Sequence, residues 1–110
     1  MDARTHVIEL AGAVDLYSAP EFKERLLGVI DAGKSHVVVD LSQATFIDSA
    51  TLGVLVGAVK RLRSEDGALA LVCTQPSITK VFEITGLDEV FAIHATREDA
   101  LSSVAESGSA

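Results

Sequence analysis

The sequence predicts an α/β domain organised around a mostly parallel sheet. Two observations carry that expectation. Apolar, β-branched runs alternate with segments of helical period, strand then helix, four times along the chain. Proline and glycine fall where such helices begin and end. At 110 residues, 48% of them hydrophobic, the chain has the size and composition of one globular domain with a real core.

Residues 5–10 read as the first strand, with Ile8 and Leu10 on one face, Val7 and Glu9 on the other, and Gly12 as its end. Ser18-Ala19-Pro20-Glu21 reads as a helix start, with Ser18 as cap, Pro20 in the first turn and Glu21 closing a capping box. Phe22, Leu26, Val29 and Ile30 then recur at helical spacing, and Gly33 is the stop. His36-Val37-Val38-Val39-Asp40-Leu41 is a continuous run of the kind found in a central strand covered on both faces. A short loop should follow, with Phe46 and Ile47 returning the chain to the core.

The second helix is expected from Asp48 or Ser49 to about Ser64, with Leu52, Leu55, Val56, Val59 and Leu62 as its apolar stripe. Asp66-Gly67 is a turn signal before a buried strand over residues 68–73. Pro76 opens a third helix, with Ile78, Val81 and Phe82 inward and Gly86 as its stop. Residues 90–93 read as a short strand. Thr96 caps a last helix through Ala100, Leu101 and Val104, with Asp99 favourable to its dipole. Residues 1–105 are expected to form a single domain and residues 106–110 a flexible tail.

Nine basic against sixteen acidic residues give a net charge of -7, which disfavours nucleic acid and anionic lipid and favours a partner with a basic surface. The lone cysteine, Cys73, allows no internal disulfide and fits a cytoplasmic location. It reads as an inert buried filler. No stretch has the length and apolarity for membrane insertion, and the first six residues lack the blocks of a signal peptide. His6, His36 and His94 are scattered without ligand spacing, so neither a metal nor another cofactor is expected.

Phe46-Ile47-Asp48-Ser49-Ala50-Thr51-Leu52-Gly53 is the most informative stretch. It puts a serine directly after an aspartate where strand and loop give way to a helix, in the positive field of unpaired helix N–H groups. Ser49 is either a helix cap or, if Asp48 caps, a first-turn residue with a free hydroxyl. A phosphate there would sit against the helix N-terminus and be conspicuous to a partner. Asp48 either caps or orients that serine. Thr51 reads as a third-position hydroxyl turned to solvent, with a second acceptor site as the alternative. Gly53 and Gly57 follow Ser49 at four-residue steps, with Lys60 close to the same line. That row either packs closely against a neighbouring helix or forms a flat strip for a partner. Val54 and Ala58, read as exposed, would enlarge an apolar patch there. Asp15 is a loop acid near the strand exits, and Asp40 should bond loop N–H groups near Ser42.

Four segments together resemble the STAS family, in particular its anti-sigma factor antagonists. They are Leu10-Ala11-Gly12-Ala13-Val14-Asp15, Val38-Val39-Asp40-Leu41-Ser42, Phe46-Ile47-Asp48-Ser49 and Phe82-Glu83-Ile84-Thr85-Gly86-Leu87. The resemblance implies a STAS-like sheet of four to five strands with about four helices. It implies a role in bacterial signalling and transcription regulation, with no catalytic residues. Such a protein binds a cytoplasmic anti-sigma factor that is also a serine kinase, and thereby frees the sigma factor. Phosphorylation of the serine in the Asp-Ser pair switches binding off, and a serine phosphatase resets it. By that match Ser49 is the phosphoacceptor and Asp15 falls where the family has a partner-contacting acid; with them, Asp48, Thr51, Gly53, Val54 and Gly57 are expected on the partner surface of a monomer or weak dimer. The family commonly has glycine or another small residue where this chain has Thr51, and an additional strand where it has only residues 1–4.

Other classes fit less well. A hydrolase would need a Gly-x-Ser-x-Gly elbow, and only His94 lies downstream of Ser49 as a base. A phosphorelay receiver needs an acidic pair where Ala11-Gly12-Ala13 stands. Within the STAS fold, the alternative is an accessory subunit of an ABC-type lipid transporter or a stress-signalling scaffold.

Overall fold

A computed structural model describes the backbone of residues 5–108 and the side chains of residues 5–105. Its elements run β1 (Thr5–Val14), α1 (Ala19–Asp31), β2 (His36–Ile47), α2 (Ser49–Ser64), β3 (Ala68–Val72) and α3 (Pro76–Thr85). A 3₁₀ turn (Leu87–Glu89), β4 (Ala92–His94) and α4 (Arg97–Gly108) complete it. The described strands form one sheet in the order β1-β2-β3-β4, every neighbour parallel. A fifth strand would fall on residues 1–4, outside the described residues.

The period-two alternation of β2 explains the two-faced core. Val37, Val39 and Leu41 face one way, against Phe22, Leu26, Leu55, Leu62, Ile78 and Phe82 of α1, α2 and α3. Val38 faces the other way and, with Ala70 and Val72, packs on Ala100 and Val104 of α4. Phe82 and Phe91 meet edge to face at 5.8 Å between ring centres.

Several expectations are corrected. β1 does not end at Gly12, and β2 does not end at Leu41. Gly12 takes a positive φ of 72° and is absorbed as an irregularity of the ladder, after which Ala13 pairs with Phe46 and Val14 with Ile47. Beyond Asp40 the second half of β2 pairs with β1 alone, because β3 stops at Val72. Phe46 does not return to the core: it is 51% exposed while Ala44 and Ile47 are buried, because the ladder irregularity between Ala44 and Phe46 breaks the strict alternation. Ser18 does not cap α1 through its side chain, and the Glu21 capping box is not made. The fourth strand starts at Ala92, because residues 87–89 close into a 3₁₀ turn. The backbone of α4 continues to Gly108, so helix occupies residues 106–108 of the expected tail; residues 109 and 110 lie outside the described residues. Thr96 does cap α4, its Oγ1 accepting the Asp99 N–H at 3.1 Å.

Gly67 is the tightest point of the β2–β3 crossover. A Cβ there would stand 2.1 Å from the Ser35 carbonyl oxygen, so only glycine lets α2 turn into β3 beside the start of β2.

Candidate functional site

The candidate site forms where β1 and β2 exit the sheet and α2 begins. Asp48 is the N-cap of α2: its backbone is extended and its Oδ1 accepts the Thr51 N–H at 3.1 Å. Ser49 is therefore the first helical residue. It is exposed, and its hydroxyl makes no hydrogen bond to any described residue. Among the described residues the N–H groups of Ser49 and Ala50 have no protein partner either, so unpaired donors and the positive helix end lie beside the hydroxyl.

Thr51 contradicts its expected place on the partner surface and its expected solvent-turned hydroxyl. It is fully buried, and Oγ1 shares its proton between the Val14 carbonyl at 3.2 Å and Asp48 Oδ1 at 3.3 Å. The reason is the proximity of the β1 exit: a carbonyl there needs a donor, and a third-position hydroxyl reaches it. The same Val14 carbonyl accepts the Asp48 N–H at 3.3 Å.

Asp15, half-buried, spends its carboxylate on its own turn. Oδ1 accepts from Tyr17 N–H at 3.0 Å and Ser18 N–H at 3.3 Å, while Ser18 Oγ accepts the Asp15 N–H at 3.0 Å. This knot projects Leu16 (65% exposed) and Tyr17 (90% exposed) into solvent. Sequence reasoning missed both; the signal was an apolar pair set between two turn-forming residues.

The glycine row is open. Gly53 and Gly57 are exposed, and a Cβ on either would meet nothing within 4 Å, which excludes close packing against a helix. With Ala50 and Val54 they form one wall of a groove of about 370 Å³, walled opposite by Lys23, Leu26 and Leu27 of α1. Val54 is half-buried. Ala58, expected to be exposed, is buried at the groove floor.

Asp40 bonds the Ser42 N–H at 2.9 Å, as expected, and also receives Arg97 Nε at 3.0 Å and Nη2 at 2.6 Å. Arg97 Nη2 reaches Glu9 at 3.1 Å as well, so one guanidinium joins α4 to β1 and β2. Burial pushes the Asp40 carboxyl up, but hydrogen bonding from Ser42 and the Arg97 guanidinium outweigh it and hold the group below the usual carboxylate range. Cys73 is buried, and that burial pushes its thiol up. Among the described residues no group of histidine, cysteine and carboxylate side chains has the arrangement of a metal site, and no helix is long and apolar enough to cross a membrane.

A family model described as STAS domain matches residues 2–100. The anti-sigma-B factor antagonist of Bacillus subtilis is 33% identical over 91 residues, covering 83% of each chain. That of Listeria monocytogenes is 39% identical over 87 residues, covering 78% of this chain and 75% of the relative. Among solved structures, an anti-sigma factor antagonist from Mycobacterium paratuberculosis superposes with a TM-score of 0.85 at 28% identity, covering 94% of this chain and 88% of the other. The anti-sigma factor antagonist SpoIIAA in its unphosphorylated form gives 0.82 at 27% identity, covering 96% and 93%.

Proposed function

This chain belongs to the STAS domain family, and we propose from that premise that it is an anti-sigma factor antagonist switched by phosphorylation of Ser49. In this reading the unmodified protein binds a cytoplasmic anti-sigma factor with serine-kinase activity and so frees the sigma factor. The kinase then transfers the γ-phosphoryl group of ATP to Ser49. A bond forms between Oγ and phosphorus, the bridging bond to ADP breaks, and the hydroxyl proton passes to a base of the kinase. A serine phosphatase hydrolyses the ester and restores binding. Asp15, Asp48, Ser49, Gly53, Val54 and Gly57 make the docking surface, and Thr51 supports it from below.

The observation that carries this reading is the division of labour between Asp48 and Ser49: the aspartate caps, so the serine is exposed with a spare hydroxyl. The open groove along Gly53 and Gly57 supports it by giving a partner low relief beside that hydroxyl. The net charge of -7 suits a basic partner surface. The names of the relatives supply the partner class.

The magnitudes are adequate. A phosphoserine adds about -1.5 to -2 charges. Sealed against a partner without a cation, it costs several kcal/mol, and about 4 kcal/mol is already a thousandfold in affinity. Incubation with the anti-sigma factor and ATP, followed by mass spectrometry, should place one phosphate on Ser49. Ser49→Ala should bind and resist shut-off, whereas Ser49→Asp should bind poorly with an unchanged circular dichroism spectrum. Equal binding by the two variants overturns the charge argument. Capture of a transporter ATPase instead of an anti-sigma factor overturns the partner.

A further inference from the structure

We propose that Thr51 is a positioning residue, whose buried hydroxyl locks the turn carrying Leu16 and Tyr17 to the Ser49 end of α2 so that the two form one recognition surface. The inference rests on the proposed role of Ser49.

The link is a single peptide plane. The carbonyl of Val14 and the N–H of Asp15 belong to the same planar unit and turn together. On one side that carbonyl accepts from Thr51 Oγ1 at 3.2 Å and from the Asp48 N–H at 3.3 Å, both on the α2 side. On the other side the Asp15 N–H is held by Ser18 Oγ at 3.0 Å, and the carbonyl of the next peptide unit, that of Asp15, accepts Ser18 N–H at 3.1 Å and Ala19 N–H at 2.8 Å. A rotation of this plane would break bonds at the start of α2 and in the turn together. Thr51 is 0% exposed, so water does not substitute for its hydroxyl. The arrangement has a consequence for phosphoryl transfer. A partner gripping Leu16 and Tyr17 gains a fixed geometry for the Ser49 oxygen, and small misplacements of a reacting atom cost rate steeply.

The test compares Thr51→Val, which keeps the shape and removes the hydroxyl, with Thr51→Ser, which keeps the hydroxyl. Amide hydrogen exchange by NMR reads Asp48 and Leu52 on the helix side and Asp15, Ser18 and Ala19 on the turn side. Thr51→Val should speed exchange on both sides by about tenfold, and Thr51→Ser should restore both. In phosphorylation by the anti-sigma factor with ATP, Thr51→Val should lower kcat by about tenfold with KM little changed, and Thr51→Ser should recover it. Faster exchange on the helix side alone, or failure of Thr51→Ser to rescue, overturns the coupling. Should Thr51→Val not fold, Thr51→Ala against Thr51→Ser makes the same comparison. If wild type is not phosphorylated at Ser49, the proposed function fails, and the exchange measurement still decides the coupling of turn and helix by itself.

Discussion

Replacing Arg97 with methionine should destabilise the domain at neutral pH and hardly at all in acid. Asp40 has only 7% of its side chain exposed, whereas Arg97 is 45% and Glu9 57% exposed. Asp40 Oδ2 accepts two N–H groups of the guanidinium, and Oδ1 is already taken by Ser42. Removing Arg97 leaves a nearly buried carboxylate hydrogen-bonded by Ser42 alone. Hydrogen bonds to charged groups contribute about 1.5–3 kcal/mol, and stripping the partner from a buried charge costs about 3–5 kcal/mol. Water reaches this pair through the half-exposed arginine, which sets the expected loss near the bottom of those ranges, at about 2 kcal/mol. The Glu9 contact, solvent-exposed, adds little. A carboxyl whose folded pKa lies below its unfolded value adds stability above the unfolded pKa and loses it as pH falls through the folded one. Asp40 is such a group. The gap between wild type and Arg97→Met should therefore be full at neutral pH and shrink as pH falls below about 5. Urea denaturation followed by circular dichroism, suited to a chain without tryptophan, measures the gap at each pH. A gap of constant size from neutral to acid pH would refute the argument, because it would mean that side-chain packing and not the charge pair holds α4 down.

Three further outcomes follow from single positions. Gly67→Ala places a methyl 2.1 Å from a backbone oxygen and should cost upwards of about 2 kcal/mol in a denaturation curve. Asp48→Ala removes the α2 cap and should cost about 1 kcal/mol in thermal melts, most of it recovered by Asp48→Asn. Gly57→Leu should leave the fold intact and raise stability by about 0.5–1 kcal/mol through helix propensity, while filling the groove and lowering affinity for the anti-sigma factor more than tenfold in a binding titration.

The parts of the fold legible in the sequence are those whose neighbours impose a strict pattern. Val37, Val38 and Val39 are covered on both faces, so the run is uninterrupted; the helices carry one wet face and one dry face, so they show their period. The latter half of β2 escaped because its only ladder partner is β1. Ser42, Gln43, Thr45 and Phe46 meet solvent or lie half-buried, and they leave no apolar run. Ser18 stands at the N-cap position as expected but makes no side-chain cap, because its backbone already has helical angles and its hydroxyl is occupied by Asp15. At the candidate site, local chemistry leaves the cap open between Asp48 and Ser49, and the structure assigns it to Asp48, with Ser49 exposed. Burial of Thr51 does not follow from local chemistry, since it depends on a carbonyl 37 residues away in sequence. Arg97 was unreadable for the same reason, being 57 residues from Asp40.

The capping geometry also decides how a phosphate on Ser49 would act. Were Ser49 the cap, modification would replace the oxygen that starts α2 with phosphate oxygens and alter the fold's own stability before any partner met the charge. Because Asp48 holds the capping bond, the phosphate adds charge without removing a contact. The helix N-terminus favours the new charge by about 0.3–1 kcal/mol, and repulsion from Asp48 opposes it by a comparable amount. The two nearly cancel, so the phosphorylated domain should match the unmodified one in stability to within about 1 kcal/mol, a few degrees in melting temperature for a domain of this size. Affinity for the proposed anti-sigma factor partner should have no such cancellation, since the phosphate would stand on the proposed docking surface. A calorimetric comparison of the two forms separates the cases. A phosphorylated protein less stable by more than about 2 kcal/mol would mean that the switch works by loosening α2 and not by changing the charge the partner meets.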